Sequence, residues 1–302
     1  MKQEYIELLR TMIKTPSFSR DEDQTASILA NFLKSHQLPV YRQENNVYSH
    51  LELDSSKPSL LLNSHHDTVK PSKGYSRDPF TPDTENGKLY GLGSNDAGGA
   101  LVCLLATYVQ LSNTQLPFNL IFAASAEEEI SGAKGIELLL TYLPSIDFAI
   151  VGEPTQMNIA VAEKGLMVLD CYSYGESGHA AREEGVNAIY KALRDIEWFK
   201  AYQFDKISEH LGPVKMSVTQ INSGSQHNVV PDTCHFVVDV RVTDKYTLNE
   251  VLEIINEQVL CEVQPRSVRL NSSGVVPGHP VISLAKELGM KAYGSPTLSD
   301  QA

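Results

Sequence analysis

Leu60-Leu61-Leu62-Asn63-Ser64-His65-His66-Asp67 carries both the fold and the chemistry of this chain. Three consecutive leucines make a continuous apolar run, the mark of a strand buried on both faces rather than of one with a wet face. The run ends in two imidazoles and a carboxylate. The same pattern recurs twice: Leu120-Ile121-Phe122-Ala123-Ala124 leads into Ser125-Ala126-Glu127-Glu128-Glu129, and Phe148-Ala149-Ile150-Val151 into Gly152-Glu153-Pro154. Helical periodicity occupies the intervals at 98–111 and 131–142. Buried strands alternating with helices predict an α/β domain, its mixed and mostly parallel sheet flanked by helices.

Working outward, Tyr5, Ile6, Leu9, Met12 and Ile13 recur at helical spacing as far as Pro16. Ser19 reads as the N-cap of a second helix, with Asp21, Glu22 and Asp23 in its first turn and Ile28, Leu29, Phe32 and Leu33 on its apolar face. Strand signals follow at 40–42 and 47–53. From 166 the pattern changes to a strand at 166–174, a helix at 185–199, two longer strands at 214–222 and 234–243, and a helix at 248–259. That order predicts an inserted α+β domain with a largely antiparallel sheet. A helix at 281–288 reads as a return to the first domain. The expected division is 1–165, 166–269 and 270–302.

Bulk properties narrow the function. With 37 acidic against 25 basic residues the formal charge is −12, which argues against a nucleic-acid partner, because phosphate binding needs a basic face. Cys103, Cys171, Cys234 and Cys261 are scattered with no C-x-x-C pair, so a cysteine zinc site is not expected and reduced thiols in a cytoplasmic setting are. The N-terminus leads into an amphipathic helix rather than a signal peptide. No apolar run approaches the roughly 20 residues of a membrane span.

In an open α/β sheet, sites form beyond the carboxyl ends of the strands. Here three strands end in candidate ligands, and Asp96 adds another carboxylate from the glycine-bracketed loop Gly91-Leu92-Gly93-Ser94-Asn95-Asp96-Ala97-Gly98-Gly99. Several carboxylates gathered on one sheet edge repel one another unless a cation neutralises them. Mixed imidazole and carboxylate ligands favour zinc, cobalt or manganese over calcium. Two ions about 3.5–4 Å apart sharing a carboxylate polarise a scissile carbonyl and acidify a water, and a free carboxylate takes the proton. Residue types alone leave His65 and His66 interchangeable, and likewise Glu127, Glu128 and Glu129. His66 reads as a bystander and Glu127 as a solvated or helix-starting acid. A plain turn aspartate is the alternative for Asp96. Gly91-Leu92-Gly93 begins a dinucleotide fingerprint, but Asp96 stands where the third glycine belongs, and no G-x-S-x-G elbow, H-E-x-x-H helix or Walker loop occurs.

In order along the chain, Leu61-Leu62-Asn63-Ser64-His65-His66-Asp67-Thr68-Val69, Gly91-Leu92-Gly93-Ser94-Asn95-Asp96, Glu127-Glu128-Glu129-Ile130-Ser131-Gly132 and Val151-Gly152-Glu153-Pro154-Thr155 resemble the zinc metallopeptidase and amidohydrolase family of glutamate carboxypeptidase, succinyl-diaminopimelate desuccinylase and acetylornithine deacetylase. The likeness spans essentially the whole chain and is greatest to the acetylornithine deacetylase branch in the form found in Bacteroidetes. It implies a catalytic domain and an inserted lid or dimerisation domain, with two divalent ions, zinc by preference. His65 and Glu153 would hold one ion and Glu129 the other, with Asp96 bridging. Asp67 would orient His65, and Glu128 would be the general base. It also implies a cis peptide at Asp96-Ala97. In the insertion, His179 of Ser177-Gly178-His179 would serve the oxyanion of a partner subunit in a homodimer, and Asn228 and Arg241 would bind substrate. The alternatives are a plain loop histidine for His179, and for Arg241 a surface charge paired with Asp239 on the same strand face.

The resemblance implies hydrolysis of a small N-acyl amino acid, N-acetylornithine or N-succinylornithine, in arginine biosynthesis. Dipeptidase or carboxypeptidase activity is the same-class alternative. It also implies one more metal-binding histidine in a Ser-His-Thr-type loop soon after Asp300. The sequence ends at Ala302 without it. The expectation is a shortened form of a longer protein, with slow turnover, an uncovered apolar sheet edge and only Asp96 and Glu129 for the second ion; a catalytically impaired, metal-weak protein is the further alternative.

Overall fold

Amphipathic spacing closes Tyr5, Leu8, Leu9, Met12 and Ile13 onto one buried face of α1 (Gln3–Lys14). The structure, a computed structural model, describes residues 3–276 and 278–301. The chain divides into two compact units: Met1–Gln156 with Ser299–Gln301, and Met157–Leu298.

The first unit continues with α2 (Asp23–Ser35), β1 (Tyr41–Gln43), β2 (Asn46–His50), β3 (Ser59–His65), β4 (Asp83–Glu85), β5 (Lys88–Tyr90), α3 (Gly98–Leu111), β6 (Asn119–Ser125), α4 (Ile136–Leu140) and β7 (Phe148–Val151). Its five-stranded sheet has the order β1-β2-β6-β3-β7. β3 runs parallel to β6 and β7, whereas β2 is antiparallel to β6. Strand alternation explains the continuous apolar runs. Leu62 and Phe122 face α1, α2 and α3, packing with Leu29, Leu101 and Leu105. Their neighbours Leu61 and Ile121 face the other way, onto Tyr48, Leu139 and Leu143. Both faces are covered, so no position in the run tolerates a polar side chain. The helix after β3 and the helix after β6 lie on opposite faces. The carboxyl ends of these neighbouring strands therefore open a crevice at a topological switch point.

Three local expectations are corrected. Among the described residues β7 is an edge strand, bonded to β3 alone, and Ile150 is 42% exposed. A short apolar run does not distinguish an edge strand from a central one. The second helix begins at Asp23 with Glu22 at its N-cap, and Ser19 caps nothing; its hydroxyl instead donates to Asp67. The helix expected at 131–142 is confined to α4, because Glu127 and Ser131 take left-handed backbone conformations around a short 3₁₀ turn, Glu128–Ile130.

The second unit comprises β8 (Ile159–Glu163), β9 (Gly165–Tyr174), β10 (Gly178–His179), α5 (Ala188–Ala201), β11 (Lys215–Ser223), β12 (Val229–Val230), β13 (Thr233–Val242), α6 (Leu248–Gln258), β14 (Glu262–Pro265), β15 (Ser273–Gly274), α7 (Pro280–Glu287) and β16 (Ala292–Ser295). An antiparallel sheet of order β11-β13-β9-β14 packs Met167, Leu169, Phe236 and Val238 against Phe199 of α5 and Leu248, Val251 and Ile255 of α6. Thr247 and Glu250 form a reciprocal capping box that starts α6. β8 sits between β15 and β16 in a separate three-stranded sheet. This pairing corrects the expected return: 157–165 and 270–298 stand together in the second unit, and only 299–301 group with the first. Among the described residues no helix is long and apolar enough to cross a membrane.

Candidate metal centre

His65 is the last residue of β3 and lies in register with Ser125, the last residue of β6. Its ring is held by its own chain: Nδ1 lies 3.0 Å from the carbonyl oxygen of Asp67 and 3.3 Å from Asp67 Oδ1. With Nδ1–H so engaged, Nε2 is the nitrogen turned towards the crevice. It lies 3.2 Å from Asp96 Oδ1, 3.9 Å from Glu128 Oε2 and 4.0 Å from Glu153 Oε1. His65, Asp96 and Glu129 offer ligand atoms that all lie within 4.8 Å of one another. Side chains from 65 to 153 in the sequence thus converge on one imidazole.

His66, one residue on, points to the opposite side of the chain. Its Nδ1 meets Thr25 Oγ1 at 2.9 Å and its Nε2 meets the Asn45 carbonyl at 2.9 Å. Both nitrogens of His66 are thereby used within the protein, whereas Nε2 of His65 faces the acids. Asp67 is fully buried and accepts from Ser19 Oγ, Glu128 N and Glu129 N at 2.7, 3.1 and 3.2 Å. One carboxylate therefore orients the imidazole and fixes the backbone that carries the next two acids. Glu127 is not a solvated acid: it is 8% exposed and stands at the N-cap of the 3₁₀ turn.

Asp96 stands just before α3, whose N-cap is Ala97, and the Asp96-Ala97 peptide that follows it is cis. The glycines around it are there for proximity. A Cβ on Gly98 would sit 2.5 Å from the Gly93 carbonyl oxygen and 2.8 Å from Leu9 Cδ1.

The electrostatics fit a cation. For His65, burial acts to lower the pKa, but the hydrogen bonds of Asp67 and Asp96 and the charges of Glu153 and Glu128 overcome it and hold the group up at about 12. Burial is the main force raising Glu128 to about 8, opposed by His65 and aided by Glu153, Asp300 and Asp67. Glu129 is raised by burial and then by Asp96. For Asp67 burial pushes upward, yet the bond and charge of His65 and the Ser19 hydroxyl leave its pKa lowered. The cluster thus holds protons where a divalent ion would supply the same positive charge. The donor set, one imidazole with several carboxylates, suits such an ion.

Sequence reading missed two members of this neighbourhood. Asp300 is half-buried between strand ends, accepting from Asn63 Nδ2 at 2.9 Å and from Ser125 Oγ; desolvation raises its pKa. Ser19 reaches Asp67 across 48 residues. Neither carried a signal beyond being polar near a turn. In the second unit, β10 and β12 pair His179 with Val229, and the Ala180 N–H donates to the Asn228 carbonyl, so His179 and Asn228 are neighbours on an exposed ladder. His179 Nδ1 accepts from Ala181 N at 3.1 Å, which leaves the ring proton on Nε2 of this exposed side chain. Arg241 is held by Asp239, with bonds of 2.8 and 3.0 Å from Nε and Nη2 to the two carboxylate oxygens.

A crevice at the carboxyl edge of an α/β sheet, gathering an imidazole and acids in this arrangement, is the site of a metal-dependent hydrolase. The comparisons agree. A peptidase dimerisation domain matches residues 161–262 and peptidase family M28 matches residues 46–149. Acetylornithine deacetylase of Proteus mirabilis is 30% identical over 84% of this chain and 70% of its own length, and that of Shigella sonnei 31% over 84% and 71%. In fold, the chain is similar to a tripeptidase from Staphylococcus aureus (TM-score 0.77, 19% identity, 99% of this chain and 85% of that one). It is likewise similar to an M20 family metallo-carboxypeptidase from Sulfolobus solfataricus (0.74, 18%, 100% and 87%). A Bacillus subtilis dinuclear metal binding peptidase of the M20 family also shares the fold (0.70, 15%, 99% and 84%). The chain belongs to the M20 family of metal-dependent amidohydrolases that includes acetylornithine deacetylase.

Proposed function

We propose that this protein is a two-metal deacylase of N-acyl amino acids, acting on N-acetylornithine or N-succinylornithine in arginine biosynthesis in the cytoplasm. The observation that carries the reading is the placement of Asp96, Glu128 and Glu153 within 4.0 Å of His65 Nε2, with Glu129 in the same group. The relatives at about 30% identity, named for deacetylation of acetylornithine, support the substrate class. His65 and Glu153 would hold one ion and Glu129 the other, with Asp96 shared between them; the donor set favours zinc, cobalt or manganese over calcium, and the family resemblance favours zinc among them. Bound ions would polarise the acyl carbonyl and acidify a water.

The chain's own groups do the rest. Asp67 keeps the His65 Nδ1–H engaged and Nε2 available. Glu128, whose pKa of about 8 in the ion-free protein places it close to the working range of a proton shuttle, takes the proton of the attacking water and returns it to the departing amine. His179 would donate its Nε2–H to the developing oxyanion across a homodimer. Asn228 and Arg241 would bind substrate, Arg241 through the flat guanidinium that Asp239 holds in place. The match of residues 161–262 to a dimerisation domain supports the lid and dimerisation role proposed for 166–269.

The test is hydrolysis by the purified chain with zinc, cobalt or manganese, following free ornithine released from N-acetylornithine and N-succinylornithine alongside a dipeptide panel. Metal-dependent release of ornithine at a kcat/KM above that for every dipeptide is the expected result. Dipeptide cleavage as the faster reaction overturns the substrate assignment, and no divalent-ion binding at all overturns the site.

A further inference from the structure

Four successive backbone N–H groups around the acidic turn are each met by a side-chain oxygen from elsewhere in the first unit. Ala126 N donates to Asn46 Oδ1 at 2.9 Å, Glu127 N to Glu22 Oε1 at 3.1 Å, Glu128 N to Asp67 Oδ1 at 3.1 Å and Glu129 N to Asp67 Oδ2 at 3.2 Å. Asn46, Glu22 and Asp67 are all fully buried. Glu127 has φ 55°, a left-handed conformation that non-glycine residues keep only where the surroundings over-determine it. No regular ladder can serve a turn that leaves a strand end through such a residue, so buried N–H groups here need dedicated acceptors.

We propose that Glu22 is a positioning residue for the metal centre: it clamps the Glu127 N–H and so fixes the turn that presents Glu128 and Glu129 to His65. The Glu128 and Glu129 roles rest on the function proposed above, whereas the clamp itself rests on the bonds just given. Three donors converge on Glu22: Arg20 N at 2.7 Å and Glu127 N on Oε1, and Asn45 Nδ2 at 2.8 Å on Oε2. A carboxylate, all acceptor, suits three donors, whereas a glutamine that keeps its oxygen on Arg20 N and Glu127 N sets its N–H₂ against Asn45 Nδ2, a clash that draws the side chain off the Glu127 N–H. Asn45 is not free to turn over and offer its oxygen, because Oδ1 already accepts from Arg42 Nη2 at 2.9 Å. This predicts a specific repair. Changing Asn45 to aspartate supplies an acceptor opposite the glutamine N–H₂ and keeps the acceptor for Arg42. The Asn45 carbonyl that receives His66 Nε2 is backbone and is unaffected.

The experiment compares wild type, E22Q and the E22Q/N45D pair. Deuterium exchange over a peptide covering 122–135 is measured in the ion-free protein, and cobalt affinity by calorimetric titration. E22Q is expected to speed exchange at 126–129 at least tenfold while α5, α6 and β13 exchange as before. Cobalt affinity should fall about 10–100-fold, the usual effect of losing an outer-shell partner. E22Q/N45D should restore both to within about threefold of wild type. Unchanged exchange in E22Q, faster exchange throughout the chain, or a pair that repairs nothing overturns the clamp. If E22Q alone does not fold, recovery of folding and slow exchange in the pair supports it, and failure of the pair overturns it. A wild type that binds no cobalt but shows the exchange pattern sinks the metal reading and upholds the clamp.

Discussion

Asp67 Oδ1 lies 3.3 Å from His65 Nδ1 while the two oxygens of that same carboxylate receive the N–H groups of Glu128 and Glu129. One buried acid thus couples the end of β3 to the turn after β6, and the aim of the imidazole is tied to the position of the proposed base. Replacing Asp67 with alanine removes an ion-pair partner and strands several donors. Loss of about 3–5 kcal/mol of stability is expected, on the scale of breaking a buried pair. Urea denaturation of the ion-free protein measures it; a loss below 1 kcal/mol would show that the coupling is energetically idle.

Glu128 is proposed to move protons and not to bind an ion. Glu128→Gln keeps the size and removes the basicity, so kcat should fall by about 10²–10⁴-fold, the usual contribution of a general base. Bound metal, counted by atomic absorption on the purified variant, should match wild type. A variant that loses both metal and turnover would make Glu128 a ligand.

Protonation should make the ion-free protein less stable as pH rises. Folding lifts Glu128 from an ordinary 4.5 to about 8 and His65 from 6.5 to about 12. Above about pH 7, where His66 (its pKa lowered by burial) is neutral in both states, the folded state therefore binds more protons than the unfolded chain, and stability falls with increasing pH; below that His66 acts in the opposite direction. The Glu128 contribution is lost between 4.5 and about 8, and that of His65 from 6.5 upward. Calorimetry of chelator-treated protein should give a lower melting midpoint at pH 9 than at pH 7. Added zinc or cobalt should raise the midpoint most at pH 9, where fewest protons compete for the ligands. A flat or rising ion-free series would contradict these charge relationships.

His179 is exposed, and its Nδ1 is already occupied by the Ala181 N–H. If Nε2 serves the oxyanion, His179→Ala should lower kcat about 10²-fold or more, with KM changed far less. Melting midpoint and metal content should not move, since the ring supports no core. Equal kcat in variant and wild type would return His179 to the standing of a loop residue.

The central strands were legible because burial on both faces demands an uninterrupted apolar run, and the strand ends were legible because acids and an imidazole interrupt those runs abruptly. Leu60-Leu61-Leu62 and Leu120-Ile121-Phe122 are such cases. β7 looked the same by that rule yet is an edge strand, because composition records apolarity and not the number of bonded neighbours. Ser19 was read as a helix cap on the same local logic, but its hydroxyl goes to a carboxylate 48 residues away.

By itself the sequence determined the α/β core, the antiparallel sheet of the second unit, and the acidic, cation-seeking character of one sheet edge, since these follow from periodicity and charge along the chain. Tertiary structure alone turned His65 towards the acids and His66 away from them, set Glu127 apart from Glu128 and Glu129, and brought Glu22, Asn46 and Asp67 to the turn after β6. Those outcomes depend on the direction of each side chain and on hydrogen bonds between residues far apart in sequence, and a buried donor finds its acceptor only after the strands have paired.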